Sequence, residues 1–428
     1  MLDRRFVVEN LEKVRENCRL RGATADLDRF AAIEVQRKAK QTEVDELNRR
    51  ANEVSRSIGK AADAAEREAR KAEGRSLREQ TTAAEEGLQQ LLAEADAILR
   101  SIPNMSHPDA PIGADDQANL EVRRGKHSPP QFASKPLDHV ELGERLDLID
   151  FENGAKVTGH GFYFLKNDAV LLELALQRMA VEMLMSEGFT PTITPDLARN
   201  EILYGTGYMP RGPETQIYSI ADTELSLVAT AEITLGGLLS ETILDSDQLP
   251  IKLCGISHCY RTEAGAGGRA SRGLYRVHQF TKVEMFAFTL PEASDAMLNY
   301  FCDLECRIFD TLGIAYRVVD TATGDLGGPA YRKFDLEAWM PGRGEKGEYG
   351  EVTSTSNCTD YQARRLNIRY RNKGEKDTAF VHTLNGTAVA ISRALIAILE
   401  NYQQPDGSVI VPKALVPYVG KERITRSA

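Results

Sequence analysis

No stretch of the chain approaches the roughly 18 consecutive apolar residues of a membrane span, so no transmembrane helix is expected. The opening Met1-Leu2-Asp3-Arg4-Arg5 lacks the apolar core of a secretory signal and carries acids that a transit peptide avoids. The six cysteines (18, 254, 259, 302, 306, 358) contain no CxxC pair, which excludes a zinc cassette and points to a reduced, cytoplasmic protein. No GxxxxGK[ST] run occurs, so the chain has no P-loop. Net positive charge is missing too: 53 Lys and Arg against 63 Asp and Glu leave −10. That balance argues against a general nucleic-acid coat, although a local basic surface remains open.

What is present is ample. A length of 428 residues predicts two or three domains and a core large enough to need no metal or disulfide staple. The hydrophobic fraction of 42 % and charged fraction of 27 % are those of an ordinary globular protein.

Glycine and proline are scarce between residues 24 and 100, where Ala, Glu, Gln, Arg and Leu dominate. Val44, Leu47, Ala51, Val54 and Ile58 follow 3-4 spacing. So do Leu77, Ala84, Leu88, Leu91, Ala95, Ile98 and Ile102, with Thr81 in one slot. These are heptad seams, and two of them separated by Gly59, an Ala-rich stretch and Gly74 predict an antiparallel helical hairpin. About 30 residues per helix gives an arm of roughly 45 Å. Residues 49–78 hold nine basic side chains (Arg49, Arg50, Arg56, Lys60, Arg67, Arg70, Lys71, Arg75, Arg78) and five acids, a local net charge of +4. A solvated coiled-coil surface accounts for such a mixture, and so does a surface that tracks nucleic-acid phosphates.

The proline-rich stretch 102–111 stops the helices and marks a boundary, giving an arm over 1–105 and a second unit over 106–428. The second unit carries an amphipathic helix near Ala169–Glu187, ended by Gly188, and then the extended Phe189–Pro195. Strands are expected at 251–253, 274–280, 283–288, 315–319, 333–339 and 348–353, and a last helix at 388–400. Neighbouring strand runs with helices gathered between them favour an α+β fold with an antiparallel sheet.

The densest polar constellation is Arg261-Thr262-Glu263 through Gly265, Gly267, Gly268 and Arg269, followed by Arg276-Val277-His278-Gln279-Phe280. Arginines suit bidentate phosphate contact, glycines admit a close backbone approach, and an aromatic can stack on a base. A solvent hairpin with structural ion pairs would read the same way. Cys302 and Cys306 share a helical face without partners at metal spacing and read as core.

Taken in order, these pieces resemble the seryl-tRNA synthetase family of class II aminoacyl-tRNA synthetases. Motif 1 resembles the helix and strand ending at Pro195, motif 2 runs from Tyr260 to Glu284, and motif 3 resembles Thr383-Leu384-Asn385-Gly386-Thr387 with the helix carrying Arg393. Thr230-Ala231-Glu232 is similar to the family's serine-recognition turn, and Glu351-Val352-Thr353-Ser354 to its ATP and Mg²⁺ segment. The resemblance implies a homodimer with a six- to seven-stranded antiparallel sheet and a coiled-coil arm for tRNA(Ser), whose variable arm is long. It also suggests that tRNA(Sec) is serylated. It implies attack of the serine carboxylate on the α-phosphate of ATP, then transfer of the seryl group to the terminal adenosine of the tRNA. The absence of a zinc pattern sets the chain with the bacterial or organellar type.

On this reading Arg261 bridges the serine carboxylate and the α-phosphate, and Arg393 lies against the other side of ATP. Phe280 stacks on adenine, Glu263 and Val277 read its edge, and Arg276 lies near the phosphate tail. Glu351 and Ser354 hold Mg²⁺ through hard oxygens. Glu232 and Glu284 hold the ammonium and hydroxyl of serine, with Thr230, Asn385 and Thr387 completing the pocket. Asp325, Asp335 and Glu337 read as supporting residues. His278 reads as a neighbour of the site, not an acid–base catalyst. The nucleophile is already an ionised carboxylate, so the first step needs alignment and charge stabilisation but no protein base. Gly161, Ala169 and Leu171 depart from the family's usual Arg, Gly and Arg; His258 and Tyr260 replace a usual Pro and Phe. Two rival readings are a paralogue that loads a carrier protein or has lost catalysis, and a coiled-coil scaffold. Against the first, a dead paralogue typically loses motif residues and a carrier ligase lacks the arm, and both are kept here; the second gives no reason for Arg261, Glu284, Glu351 and Arg393.

Overall fold

The structure is a computed structural model that describes residues 1–208, 216–263 and 273–426. Two compact units divide the chain, Met1–Met105 and Ser106–Ala428.

In the first unit the hairpin helices are Leu27–Ile58 and Ala64–Ser101. Their 32 and 38 residues give lengths of about 48 and 57 Å at 1.5 Å per residue. Asp26 and Asp63 cap them, each accepting from the backbone N–H three residues on, at 2.9 and 2.8 Å. The turn is confined to 59–63. Gly74, expected near the turn, lies inside the second helix and faces Val54, so its lack of a side chain serves packing between the helices. The seam holds as expected through Val44, Leu47, Leu77, Ala84 and Leu88. Beyond Leu88 it passes through Leu92, Ala95, Leu99 and Ile102 instead of Leu91 and Ile98. The steps there run 4-3-4-3, and both phases are filled by leucine or isoleucine, so the sequence alone does not choose between them. Arg29 and Glu94 join the two helices in a bidentate pair at 2.7 and 2.8 Å.

Among the described residues the main sheet of the second unit has eight strands: β1 Leu120–Arg124, β2 Thr190–Ile193, β3 Ile251–Tyr260, β4 Gln279–Thr289, β5 Tyr316–Asp320, β6 Arg332–Met340, β7 Glu348–Thr359 and β8 His382–Ala390. Their order is β1-β5-β6-β7-β8-β4-β3-β2. Every neighbouring pair is antiparallel except β2 with β3, which is parallel. The sheet therefore exceeds the expected six or seven strands and is not wholly antiparallel. Expected boundaries also move. Residues 273–275 form a 3-10 turn and β4 starts only at Gln279. Residues 388–390 belong to β8, and the last helix spans Ile391–Asn401. Residues 388–398 are nearly all apolar, which hides the switch; pairing of Val389 and Ala390 with Val283 and Lys282 decides it.

Alternation along β4 divides the layers. Val283, Met285 and Ala287 turn to a large core shared with the helices Asp168–Ser186, Ser294–Leu312 and Ile391–Asn401. Phe286 and Phe288 turn the other way, into a smaller core with Ala231 and Leu235 and with Ala363 and Leu366. Phe280, Lys282 and Glu284 share that second face but line an open cleft. Cys302 and Cys306 lie in the large core, as their helical spacing suggested.

Candidate active site

The cleft encloses about 460 Å³. Beside Phe280, Lys282 and Glu284, β8 contributes Asn385 and Thr387, with Thr387 directly opposite Glu284. On β7 the ladder pairs Leu336 with Thr353 and then Glu337 with Glu351, leaving Val352 as an extra residue. Strict alternation from Ser354 would aim Val352 at the cleft. The bulge packs Val352 against the core, from where it still borders the cleft, and presents Glu351 beside Ser354. Thr353 is almost wholly buried at the cleft wall.

At one end three donors converge on Glu232: the Tyr208 hydroxyl donates at 3.0 Å, the Gln362 amide at 2.8 Å and the Asn385 amide at 2.9 Å. Burial, then the nearby charge of Glu284, pushes the Glu232 carboxyl up to about 7. Lys282 pairs with Glu284 at 2.5 Å, and the Thr387 hydroxyl donates to the same carboxylate at 3.4 Å. Both members of the Lys282–Glu284 pair are buried. Thr230 does not reach the cleft. It caps the helix Ala231–Gly237, accepting from the Glu232 N–H at 3.2 Å, and so aims the carboxylate.

At the other end the Arg261 guanidinium lies 5.3 Å above the Phe280 ring and donates to the Ala229 carbonyl at 3.4 Å. It makes no ion pair among the described residues. Arg393 donates to the Glu351 carbonyl at 3.0 Å and pairs with its carboxylate at 3.3 Å. Burial would raise the Glu351 carboxyl, but the charges of Arg393, Lys333 and Arg261 outweigh it and hold it low. Arg276 donates to Glu263 at 2.7 Å, and Val277 lines the same wall. Thr262 stands outside the cleft, its N–H donating to the Gln216 carbonyl at 3.0 Å. Gly265, Gly267, Gly268 and Arg269 lie outside the described residues.

Around this frame sit the supporting residues. His278 Nδ1 lies 2.9 Å from the Arg261 carbonyl and 2.7 Å from the Tyr218 hydroxyl, and its ring stacks on Phe162 at 5.2 Å. This accounts for Gly161: φ is +83°, and a Cβ there would stand 2.1 Å from the His278 ring. Asp325 accepts from Asn119 at 3.0 Å and Glu337 from Arg317 at 2.5 Å. Asp335 pairs with Lys333 at 3.0 Å, and burial pushes its carboxyl up to about 7.

Sequence reasoning assigned no role to Lys282, Tyr208 or Gln362. Lys282 was legible, since it alternates with Phe280 and Glu284 on one strand face. Tyr208 and Gln362 come from separate segments that only the tertiary fold brings to Glu232.

Comparison with known proteins gives a consistent result. Residues 1–106 match the family model of the seryl-tRNA synthetase N-terminal domain, and residues 217–402 that of the tRNA synthetase class II core domain (G, H, P, S and T). The chain is 60 % identical over 420 residues to the serine–tRNA ligase of Rhodopirellula baltica, covering 98 % of each. It is 55 % identical over 427 residues to that of Rubrobacter xylanophilus, covering 99 % of each. The crystal structure of seryl-tRNA synthetase from Pyrococcus horikoshii complexed with ATP superposes with a TM-score of 0.91 at 37 % identity, covering 100 % of both chains.

Proposed function

Since the chain belongs to the seryl-tRNA synthetase family, class II enzymes that ligate serine to tRNA with ATP, we propose that its cleft forms seryl-adenylate and that its hairpin holds tRNA(Ser). The carrying observation is the charge arrangement at the buried end. Among the described residues the one ion pair that Glu232 and Glu284 make is that of Glu284 with Lys282, so a further cation balances the pair. The α-ammonium of serine supplies it. Asn385 and Thr387, which hydrogen-bond Glu232 and Glu284, keep polar atoms at the wall of this end of the cleft, and these suit a small hydroxyl better than an apolar side chain.

The serine carboxylate attacks the α-phosphorus of ATP. The bond from that phosphorus to the bridging oxygen breaks and pyrophosphate leaves. Arg261, free of ion pairs among the described residues, neutralises the charge that builds on the α-phosphate. Phe280 offers a face to adenine. A hydroxyl of the tRNA 3′-terminal adenosine then attacks the seryl carbonyl, and AMP leaves.

Glu351 and Ser354 fit Mg²⁺: the bulge brings two hard oxygens to one cleft face, and Mg²⁺ typically takes one or two carboxylates plus substrate phosphates. Bound there, the ion would neutralise phosphate charge.

A homodimer fits the surface. Val170, Leu171 and Leu174 stand exposed on one helix, and Ile193 is 83 % exposed on the edge strand β2. An apolar edge of this kind asks to be covered, here by a second copy. Serylation of tRNA(Sec) follows the same arm logic. All six cysteines are buried and none forms a disulfide, which suits the cytoplasm, and no helix among the described residues is long and apolar enough to cross a membrane.

The test is pyrophosphate–ATP exchange with each of the twenty amino acids and no tRNA. Exchange with serine alone is expected. Exchange with a different amino acid overturns the pocket assignment, and exchange with none overturns the catalytic reading.

A further inference from the structure

Tyr275 carries two guanidiniums on one ring. The Arg393 guanidinium lies 4.7 Å from the ring centroid and that of Arg343 4.5 Å. Arg393 is tied to the same residue a second time, its Nε donating to the Tyr275 carbonyl at 3.4 Å. Arg343 reaches the ring from the connection between β6 and β7, where it also pairs with Glu348 at 3.3 Å. It does not line the cleft, whereas Tyr275 and Arg393 do. Gly350 makes room for the assembly: a Cβ there would stand 2.4 Å from Arg343 Nη1 and 3.2 Å from Tyr275 Cε2.

The consequence concerns aim. A long arginine facing open solvent samples many rotamers. One seated on an aromatic face and held by two carbonyls and a carboxylate samples few. Arg393 has these restraints from Tyr275 and Glu351. Tyr275 in turn comes from a single 3-10 turn, Gly273–Tyr275, beside residues outside the described structure, and Arg343, from the β6–β7 connection, is the second cation on its ring. The chain Arg343–Tyr275–Arg393 therefore runs from the β6–β7 connection to the ATP end of the cleft.

We infer that Tyr275 and Arg343 are positioning residues for Arg393, with Tyr275 the platform and Arg343 the clamp that acts on Arg393 through it. The inference rests on the assignment of Arg393 to ATP. Among the described residues Tyr275 makes contacts through its ring and its carbonyl and none through its hydroxyl, so Phe should replace it and an aliphatic residue should not.

The experiment is serine-dependent pyrophosphate–ATP exchange on the full chain, with kcat and KM resolved for ATP and for serine separately. Melting temperature is followed in parallel. Tyr275→Phe is expected within about twofold of the parent, and Tyr275→Leu to lose about tenfold in kcat/KM for ATP. Arg343→Met should lose about fivefold, with KM for serine unchanged, and Arg343→Lys should recover part of the loss. In the Tyr275→Leu background Arg343→Met should cost nothing more, because the clamp then has no platform. A loss from Arg343→Met that is equal in both backgrounds, or that falls equally on serine and ATP, overturns the proposal. So does an unchanged Tyr275→Leu. Arg393→Ala separates the two levels of the argument. If it leaves ATP kinetics intact, the ATP assignment itself fails. If it abolishes exchange while Arg343→Met has no effect, only the clamp fails.

Discussion

Arg261 and Glu232 mark the two kinds of residue that the cleft contains. Arg261 has a stacking partner and a carbonyl but no carboxylate among the described residues, so its charge is available to a phosphate. Arg261→Ala is expected to lower kcat/KM for serine-dependent pyrophosphate exchange by about 10³-fold, and near-parental exchange would remove it from the chemistry. Glu232 is the opposite case, a buried carboxyl raised to about 7 by burial and by Glu284. Unfolded, it titrates near the ordinary glutamate value. Between that value and 7 the folded state binds more protons than the unfolded state, so stability falls as pH rises through this window and the full cost stands above 7. Glu232→Gln removes the charge and keeps the shape. The variant should therefore melt higher than the parent at pH 8, by an amount worth about 3 kcal/mol, and lose that advantage by pH 5. A gap that does not change with pH would show that Glu232 is not the group paying this cost. Lys282 belongs here as well. Its value lies in making the one ion pair at these two acids among the described residues, a property that appears only when alternation along β4 is combined with the position of the Ala231–Gly237 helix.

At the scale of elements, the hairpin sorts its own arginines. Arg49 is held by Glu46 and Glu53, and Arg70 by Glu66 and the Ser57 carbonyl. Arg50, Arg56, Arg67, Arg75 and Arg78 are exposed and make no ion pair among the described residues. Of the seven arginines singled out by composition, these five are therefore the ones whose charge is free for phosphate. Each Arg→Ala change among them that removes a phosphate contact should weaken tRNA binding and flatten the slope of log K against log salt by about 1. Arg49→Ala and Arg70→Ala should leave the slope unchanged. Titrations of tRNA against salt distinguish the two groups, and a uniform response would reject the sorting. Deletion of residues 30–100 should leave adenylate formation largely intact and cripple charging. Full-rate charging after the deletion would show that the hairpin does not read the tRNA. The β7 bulge is the other decisive element, since it brings Glu351 to the cleft face beside Ser354 and packs Val352 against the core.

For the whole molecule, the open question is the partner. Val170, Leu171 and Leu174 form an exposed apolar stripe beside the large core, and β2 leaves the edge of the sheet apolar at Ile193. The double change Leu171→Glu with Leu174→Glu places two charges on that stripe without touching the cleft. Sedimentation should show a shift from dimer to monomer at micromolar concentration. A species that remains dimeric would move the interface elsewhere. The departure at Leu171 is then intelligible as an apolar contact where the family's usual residue is charged, and Ala169, 1 % exposed, as a core residue.

The sequence by itself determined the two-unit organisation, the helical hairpin, the α+β class and most of the residues that meet in the cleft. It could do so because heptad spacing, proline stops and strand alternation are local signals. The tertiary structure alone decided which leucine continues the seam past Leu88, where β8 ends within an apolar run and that a bulge brings Glu351 beside Ser354 at the cleft. It alone showed that Tyr208 and Gln362 reach Glu232 and that Thr230 caps a helix instead of touching the pocket. Each of these depends on a hydrogen bond or a packing partner far away in the chain. Side-chain types and spacings repeat along a sequence, whereas register, bulges and convergent donors exist only once distant segments have met.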